Sequence, residues 1–353
     1  QEKLMPKYNE VNNFHLIKIE MSDYQFIKYE TVRSLEIKQK KSQMLKAKKA
    51  GDDIYADSVS SYRIFSRLFC NFVFPSNSIR RPLPGDYSDE QNLDSFVNDM
   101  QEIIKNKDDK EKSPSIEQNI LNESIIDNEK PNNLLTNEKI QIDNNELNQI
   151  RNNKLKILDK NANLFYAQKI KEALQKLQNR ANDFLTPEAL KTYSPKFLNI
   201  LENIRDEDHP GLHLLYSQFR TLEGIGIFQL VLEANGFTQF KIKKDSTNNW
   251  VLDIDSSNMG KPMFALYTGT ETNIEEKELI RSIYNSDWTN VPSKLKKYFE
   301  KISSNNHFGE IIKLLMITSS GAEGIDLKNV RYVHIMEPYW HPVRTEQVIG
   351  RAR

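Results

Sequence analysis

From Leu212 onward the chain alternates short apolar runs with longer amphipathic ones, and this alternation restricts its fold more than any other feature. Leu212–Tyr216, Trp250–Ile254, Phe264–Tyr267, Lys313–Thr318 and Tyr332–Met336 read as strands. Leu222–Asn235, closed by Gly236, and Ile274–Tyr284 read as helices, and Arg344 opens a last one. Strands separated by helices imply an open, mostly parallel α/β sheet flanked by helices. In such sheets ligands bind at the carboxyl ends of the strands.

The first half of the chain follows another pattern. Residues 13–21 read as a short strand, after which Ser22 caps a helix and Gln25 completes a capping box. That helix runs into a lysine-rich stretch between Lys38 and Lys49 that reads as a solvated face and ends near Gly51. Residues 61–75 are the most aromatic part of the chain and read as a buried helix followed by an extended run. From about 86 to 161 Asn, Asp, Glu and Lys dominate, too polar to offset the conformational entropy of ordering, so a disordered insertion is expected. Apolar residues recur at four-three-four-three spacing between Ile170 and Phe184, predicting a helix over 164–185. Thr186-Pro187 and Ser194-Pro195 each place a capping residue before a proline, and so open two more. Three regions result: an inter-lobe strand and helical brace at 1–85, the insertion at 86–161, and an α/β lobe at 162–353.

Several function classes are excluded. Lys and Arg number 49 and so do Asp and Glu, which makes any nucleic-acid binding a matter of local patches. Cys70 is the one cysteine, so there is no disulfide framework and no cysteine-based zinc site; no metal site is expected. No apolar run is long enough to span a bilayer, and the expectation is a soluble, intracellular protein with no membrane partner. No Gly-x-x-x-x-Gly-Lys-Ser/Thr loop occurs to cradle phosphates. Asp206-Glu207-Asp208-His209 imitates a magnesium-binding motif, but it follows a helix instead of an apolar strand and is rejected as one.

The most informative block is 313–353. An apolar strand ends in Thr318-Ser319-Ser320-Gly321, a hydroxyl-rich turn able to offer side-chain oxygens and backbone N–H groups to phosphate. Gly321 and Gly324 allow close approach of a ligand to the backbone. A second strand follows, then Glu337-Pro338-Tyr339-Trp340-His341-Pro342 and a helix bearing Gln347, Gly350 and Arg351. This block resembles motifs V and VI of superfamily-2 helicases. It is most similar to Swi/Snf-type ATPases and to the nucleoside triphosphate phosphohydrolase I group of poxviruses and other large DNA viruses. Leu212–Glu223 resembles motif IV and Phe264–Gly269 motif IVa; the Tyr62-Arg63-Ile64-Phe65-Ser66-Arg67 block also looks like the viral members.

The resemblance implies a RecA-like lobe and assigns roles residue by residue. Arg351 is catalytic. Gln347, Gly350, Gly321, Glu323 and Asp326 face the nucleotide. Ser217, Gln218, Thr268, Gly269, Thr318, Ser319 and Ser320 contact nucleic acid. The motif's second arginine would be residue 354 and looks like the principal arginine finger. Since the chain begins at Gln1 and stops at Arg353 inside a motif, it is expected to be a fragment, inactive alone, of a DNA-dependent ATPase. ATP and Mg2+ would then be bound mainly by an upstream lobe. Further implications are duplex DNA as partner, a role in viral transcription or genome handling beside the viral RNA polymerase or transcription factors, and a place in the host cytoplasm or virion. The alternative is a catalytically inert docking subunit of a transcription complex.

Overall fold

A computed structural model describes residues 14–50, 64–82, 167–268, 274–318, 324–337 and 342–352. The elements in chain order are α1 (Asp23–Ala50), α2 (Ile64–Phe69), α3 (167–179), the single turn α4 (Ala181–Phe184), α5 (Pro187–Tyr193) and α6 (Pro195–Arg205). There follow β1 (Leu212–Tyr216), α7 (Ile225–Ala234), β2 (Thr238–Gln239), β3 (Ile242–Lys244), β4 (Trp250–Leu252) and β5 (Met263–Tyr267). The chain continues through α8 (Ile274–Tyr284), α9 (Ser293–Phe299), β6 (Leu314–Ile317), β7 (Val330–Ile335) and α10 (Pro342–Arg351).

Five strands form one sheet in the order β2-β5-β6-β1-β7, and every pairing in it is parallel. The predicted α/β architecture is therefore the observed one. Because side chains alternate across a strand, the sheet feeds two cores. Leu215, Phe264, Leu314 and Met316 pack with α3 to α7 and with Phe72 and Phe74. Leu214, Tyr216, Ala265, Leu315 and Ile317 pack with α8, α9 and Val348 of α10 on the other side. Both β1 and β6 are buried at every position, as a strand covered on two faces must be.

The caps form as their residue types dictate. Ser22 Oγ accepts from the N–H of Gln25 at 3.0 Å, Thr186 Oγ1 from Ala189 at 3.4 Å and Ser194 Oγ from Phe197 at 3.1 Å. Gln25 does not close a capping box; its amide donates to the Phe69 carbonyl at 2.8 Å and so ties α1 to the end of α2. Residues 14–22 belong to no strand, and Phe14, Leu16 and Ile17 stand exposed. The helix predicted over 164–185 breaks at Arg180 before the single turn α4. Trp250–Leu252 is not in the main sheet; it pairs antiparallel with Ile242–Lys244 in a separate hairpin, where Asp245 and its Thr247 and Asn249 partners make the turn. The insertion expected at 86–161 lies outside the described residues.

Candidate nucleotide and nucleic-acid site

Parallel pairing brings the carboxyl ends of β5, β6, β1 and β7 to one edge, and those ends are Thr268, Thr318, Ser217-Gln218 and Met336-Glu337. Hydrogen bonds continue beyond the strands: Ser217 N–H donates to Ile317 O at 3.2 Å and Met336 N–H to Tyr216 O at 2.9 Å. Thr318 Oγ1 donates to the Thr268 carbonyl at 3.0 Å, which joins the end of β6 to the end of β5. Both threonines are buried.

Beyond β1 the chain folds sharply back. The N–H groups of Ile225 and Gly226 donate to the carbonyls of Phe219 and Arg220 at 2.9 and 2.8 Å. A Cβ on Gly224 would lie 1.8 Å from Phe219 O, and one on Gly226 1.4 Å from Thr221 O. These glycines let the turn close onto the first turn of α7, which is why α7 begins at Ile225 and not at Leu222.

Ser217 and Gln218 lie inside this turn, fully buried. Ser217 Oγ donates to Glu337 Oε1 at 2.8 Å, and the Gln218 N–H donates to Glu337 Oε2 at 2.7 Å. The Gln218 side-chain oxygen accepts from Arg67, whose guanidinium also sits 5.3 Å above the Phe219 ring. Gln218 Nε2 has no hydrogen-bond acceptor among the described residues. Both side chains thus take part in an internal network as well as standing at the carboxyl edge.

The remaining predicted residues divide into two groups. Gln347, Gly350 and Arg351 lie on α10, with Gln347 and Gly350 exposed and Arg351 half-buried. Val348 anchors the helix in the core, and the Arg351 carbonyl accepts from the Leu327 N–H at 2.9 Å. Among the described residues, a Cβ on Gly350 would meet nothing within 4 Å. Asp326 is exposed, and its carbonyl accepts from Asn285 Nδ2 at 2.9 Å. Gly269, Ser319, Ser320, Gly321 and Glu323 lie outside the described residues. Asp206–His209 forms a turn ahead of β1, at the end of the sheet opposite the carboxyl edge. No group of three or more metal-ligating side chains occurs among the described residues.

Sequence reasoning missed Arg67, Asn71, Lys196 and Glu337. The signal for Glu337 was a carboxylate at the end of an apolar strand; for Asn71 it was a lone amide within an aromatic run.

Residues 264–353 match the helicase conserved C-terminal domain. The chain is 33% identical over 189 residues to a termination factor NPH-I homolog of African swine fever virus, an alignment covering 52% of this chain and 25% of that protein. Two Acanthamoeba polyphaga mimivirus proteins that carry the name of ATP-dependent RNA helicases are also similar. One is 30% identical over 182 residues, covering 52% of this chain and 26% of the relative. The other is 28% identical over 353 residues, covering 95% of this chain and 35% of the relative. The chain thus spans a quarter to about a third of the length of these relatives.

Proposed function

We propose that this superfamily-2 helicase C-terminal lobe is the second half of a nucleic-acid-dependent ATPase motor, and that its carboxyl edge faces both nucleotide and track. The observation that carries the reading is the meeting at one edge of the strand ends Ser217-Gln218, Thr268 and Thr318, in a lobe whose last helix is packed into the core by Val348 and tied to Leu327. ATP and Mg2+ would be held mainly by a preceding lobe, since no phosphate-cradling loop occurs in this sequence. Arg351 would reach the nucleotide from α10, and Gln347 would orient it. Gly350 would leave the opposing surface room to come close, because no described residue occupies the space a Cβ there would take.

In the working cycle, nucleotide binding closes the two lobes and hydrolysis releases them. Each closure would shift the Thr268, Thr318 and Gln218 turns along the phosphates of one strand. Duplex DNA is the proposed track, and viral transcription or genome handling the proposed setting. The name of the African swine fever virus relative, a termination factor, supports the transcriptional setting.

The test is ATP turnover of the full-length polypeptide with no nucleic acid, with single-stranded DNA, with duplex DNA and with duplex RNA at one salt concentration. Stimulation by duplex DNA above the others is the expected result. Stimulation by RNA alone would reassign the track, and no turnover on any track would make the lobe a docking subunit.

A further inference from the structure

Two carboxylates are deeply buried among the described residues, and their surroundings differ. Glu223 pairs with the guanidinium of Arg81. Glu337 is held by donors from separate parts of the chain. Ser217 Oγ and the Gln218 N–H reach it from the turn after β1 at 2.8 and 2.7 Å. Asn71 Nδ2 reaches it from the segment after α2. Lys196, on α6, completes the cluster: its Nζ donates to Asn71 Oδ1 at 2.8 Å and to the Met336 carbonyl at 3.2 Å. Ser194 Oγ, the cap of α6, donates to the Asn71 carbonyl.

Taking a carboxylate and an ammonium out of water costs several kcal/mol per ion, and a well-packed apolar pair fills such a space at least as stably. Burial pushes the Glu337 carboxyl up and the Lys196 ammonium down, and each charge opposes the shift of the other. A merely space-filling role therefore does not account for this cluster. Its connectivity does. The carboxylate occupies the end of β7, shortly before α10, and its two oxygens take the hydroxyl and the peptide N–H of the motif IV turn. The same turn is held from the other side by Arg67 on Gln218, and α1 holds the 64–82 segment through Tyr24 on Phe74 and Gln25 on Phe69.

We infer that Glu337 is a positioning residue that locks the Ser217-Gln218 turn to the end of β7, with Asn71 carrying the lock into the brace at 64–82. Turn, brace and β7 then move as one body, and Val348 packs α10 into the same core as Val330, Val333 and Ile335 of β7, so that engagement of the track by the turn is felt at Arg351. This inference rests on the motor reading of the lobe and adds the element that couples its two ligands.

The test uses Glu337→Gln, with Leu190→Ala in α5 as a core truncation matched for loss of melting temperature. Amide exchange at Gln218 in the 353-residue chain reads the lock directly; Glu337→Gln should speed it about tenfold, the scale of one charged hydrogen bond. In the full-length polypeptide the quantity to measure is the ratio of duplex-stimulated to basal ATP turnover. That ratio does not change with the fraction of protein folded. It should fall roughly fivefold or more in Glu337→Gln, the lower end of ordinary coupling between sites, and stay at the wild-type value in Leu190→Ala. Unchanged exchange, or faster exchange with an unchanged ratio, overturns the inference. A wild-type protein that is not stimulated at all overturns the motor reading and the coupling role with it. A stimulated wild type whose ratio survives in Glu337→Gln overturns the coupling role alone.

Discussion

His213 on β1 and His334 on β7 meet edge on across the sheet, Nδ1 to Nε2 at 3.0 Å, with their rings nearly coplanar in orientation at 8° and 5.3 Å apart. One nitrogen must donate and the other accept, so the pair holds together only while at least one ring is neutral. Tyr332 stacks on His213 at 4.9 Å and the His209 carbonyl lies 3.2 Å from its other nitrogen. Burial is the main cause that lowers both histidines, His213 to about 3 and His334 to about 4, with His334 and Lys313 adding to the effect on His213.

The sign of the pH dependence follows. Both folded values lie below the free value of about 6.5, so the unfolded chain takes up protons first on acidification. Stability is complete above pH 6.5 and falls as the pH drops toward 4. The slope approaches about 1.4 kcal/mol per pH unit for each histidine. Urea denaturation at pH 7, 6, 5 and 4.5 measures it. Replacing His334 with Gln should remove part of the slope between pH 6 and 4.5; an unchanged slope would show that other groups carry it.

Gly350 separates stability from activity. A glycine inside a helix costs about 1 kcal/mol relative to alanine, and a methyl group here meets no described residue within 4 Å. Gly350→Ala should raise the stability of the 353-residue chain by about that amount while lowering ATP turnover of the full-length polypeptide. A stabilised variant with full turnover would mean that nothing approaches α10 closely at this point.

Gly226 is the opposite case. A Cβ there would lie 1.4 Å from the Thr221 carbonyl oxygen, which belongs to the backbone and cannot rotate aside. Gly226→Ala should cost about 2 kcal/mol or more, because the turn after β1 must reopen. Thermal melting decides it, and a loss below about 0.5 kcal/mol would show that the turn relaxes easily.

Much of this architecture can be read from residue pattern alone, and the reasons are local. The apolar runs at β1 and β6 are buried at every position, so their sequence carries one meaning; α8 buries a single face with Leu279, Ile280 and Ile283 and is bounded as expected at Ile274 and Tyr284. The caps at Thr186 and Ser194 depend on one side chain and its own backbone. What was not legible depends on partners far away in the chain. Trp250–Leu252 looks like a core strand until Ile242–Lys244 pairs with it. Asn71 reads as an interruption in an aromatic segment until Glu337, 266 positions later, accepts from it. Ser217 and Gln218 were recognisable as motif residues, but their burial behind Arg67 and Glu337 was not.

The central claim is that α10 presents Arg351 to a nucleotide shared between two lobes. The Arg351 side chain can be removed without disturbing the helix, because its tie to Leu327 is made by backbone and its packing by Val348. The most direct measurement is single-turnover ATP hydrolysis by full-length wild type and Arg351→Ala, with saturating duplex DNA and with melting temperatures matched. The account predicts a loss on the order of a hundredfold in the chemical step, below the thousandfold or more that a principal arginine finger supplies, with melting unchanged. Hydrolysis within a few-fold of wild type would contradict it.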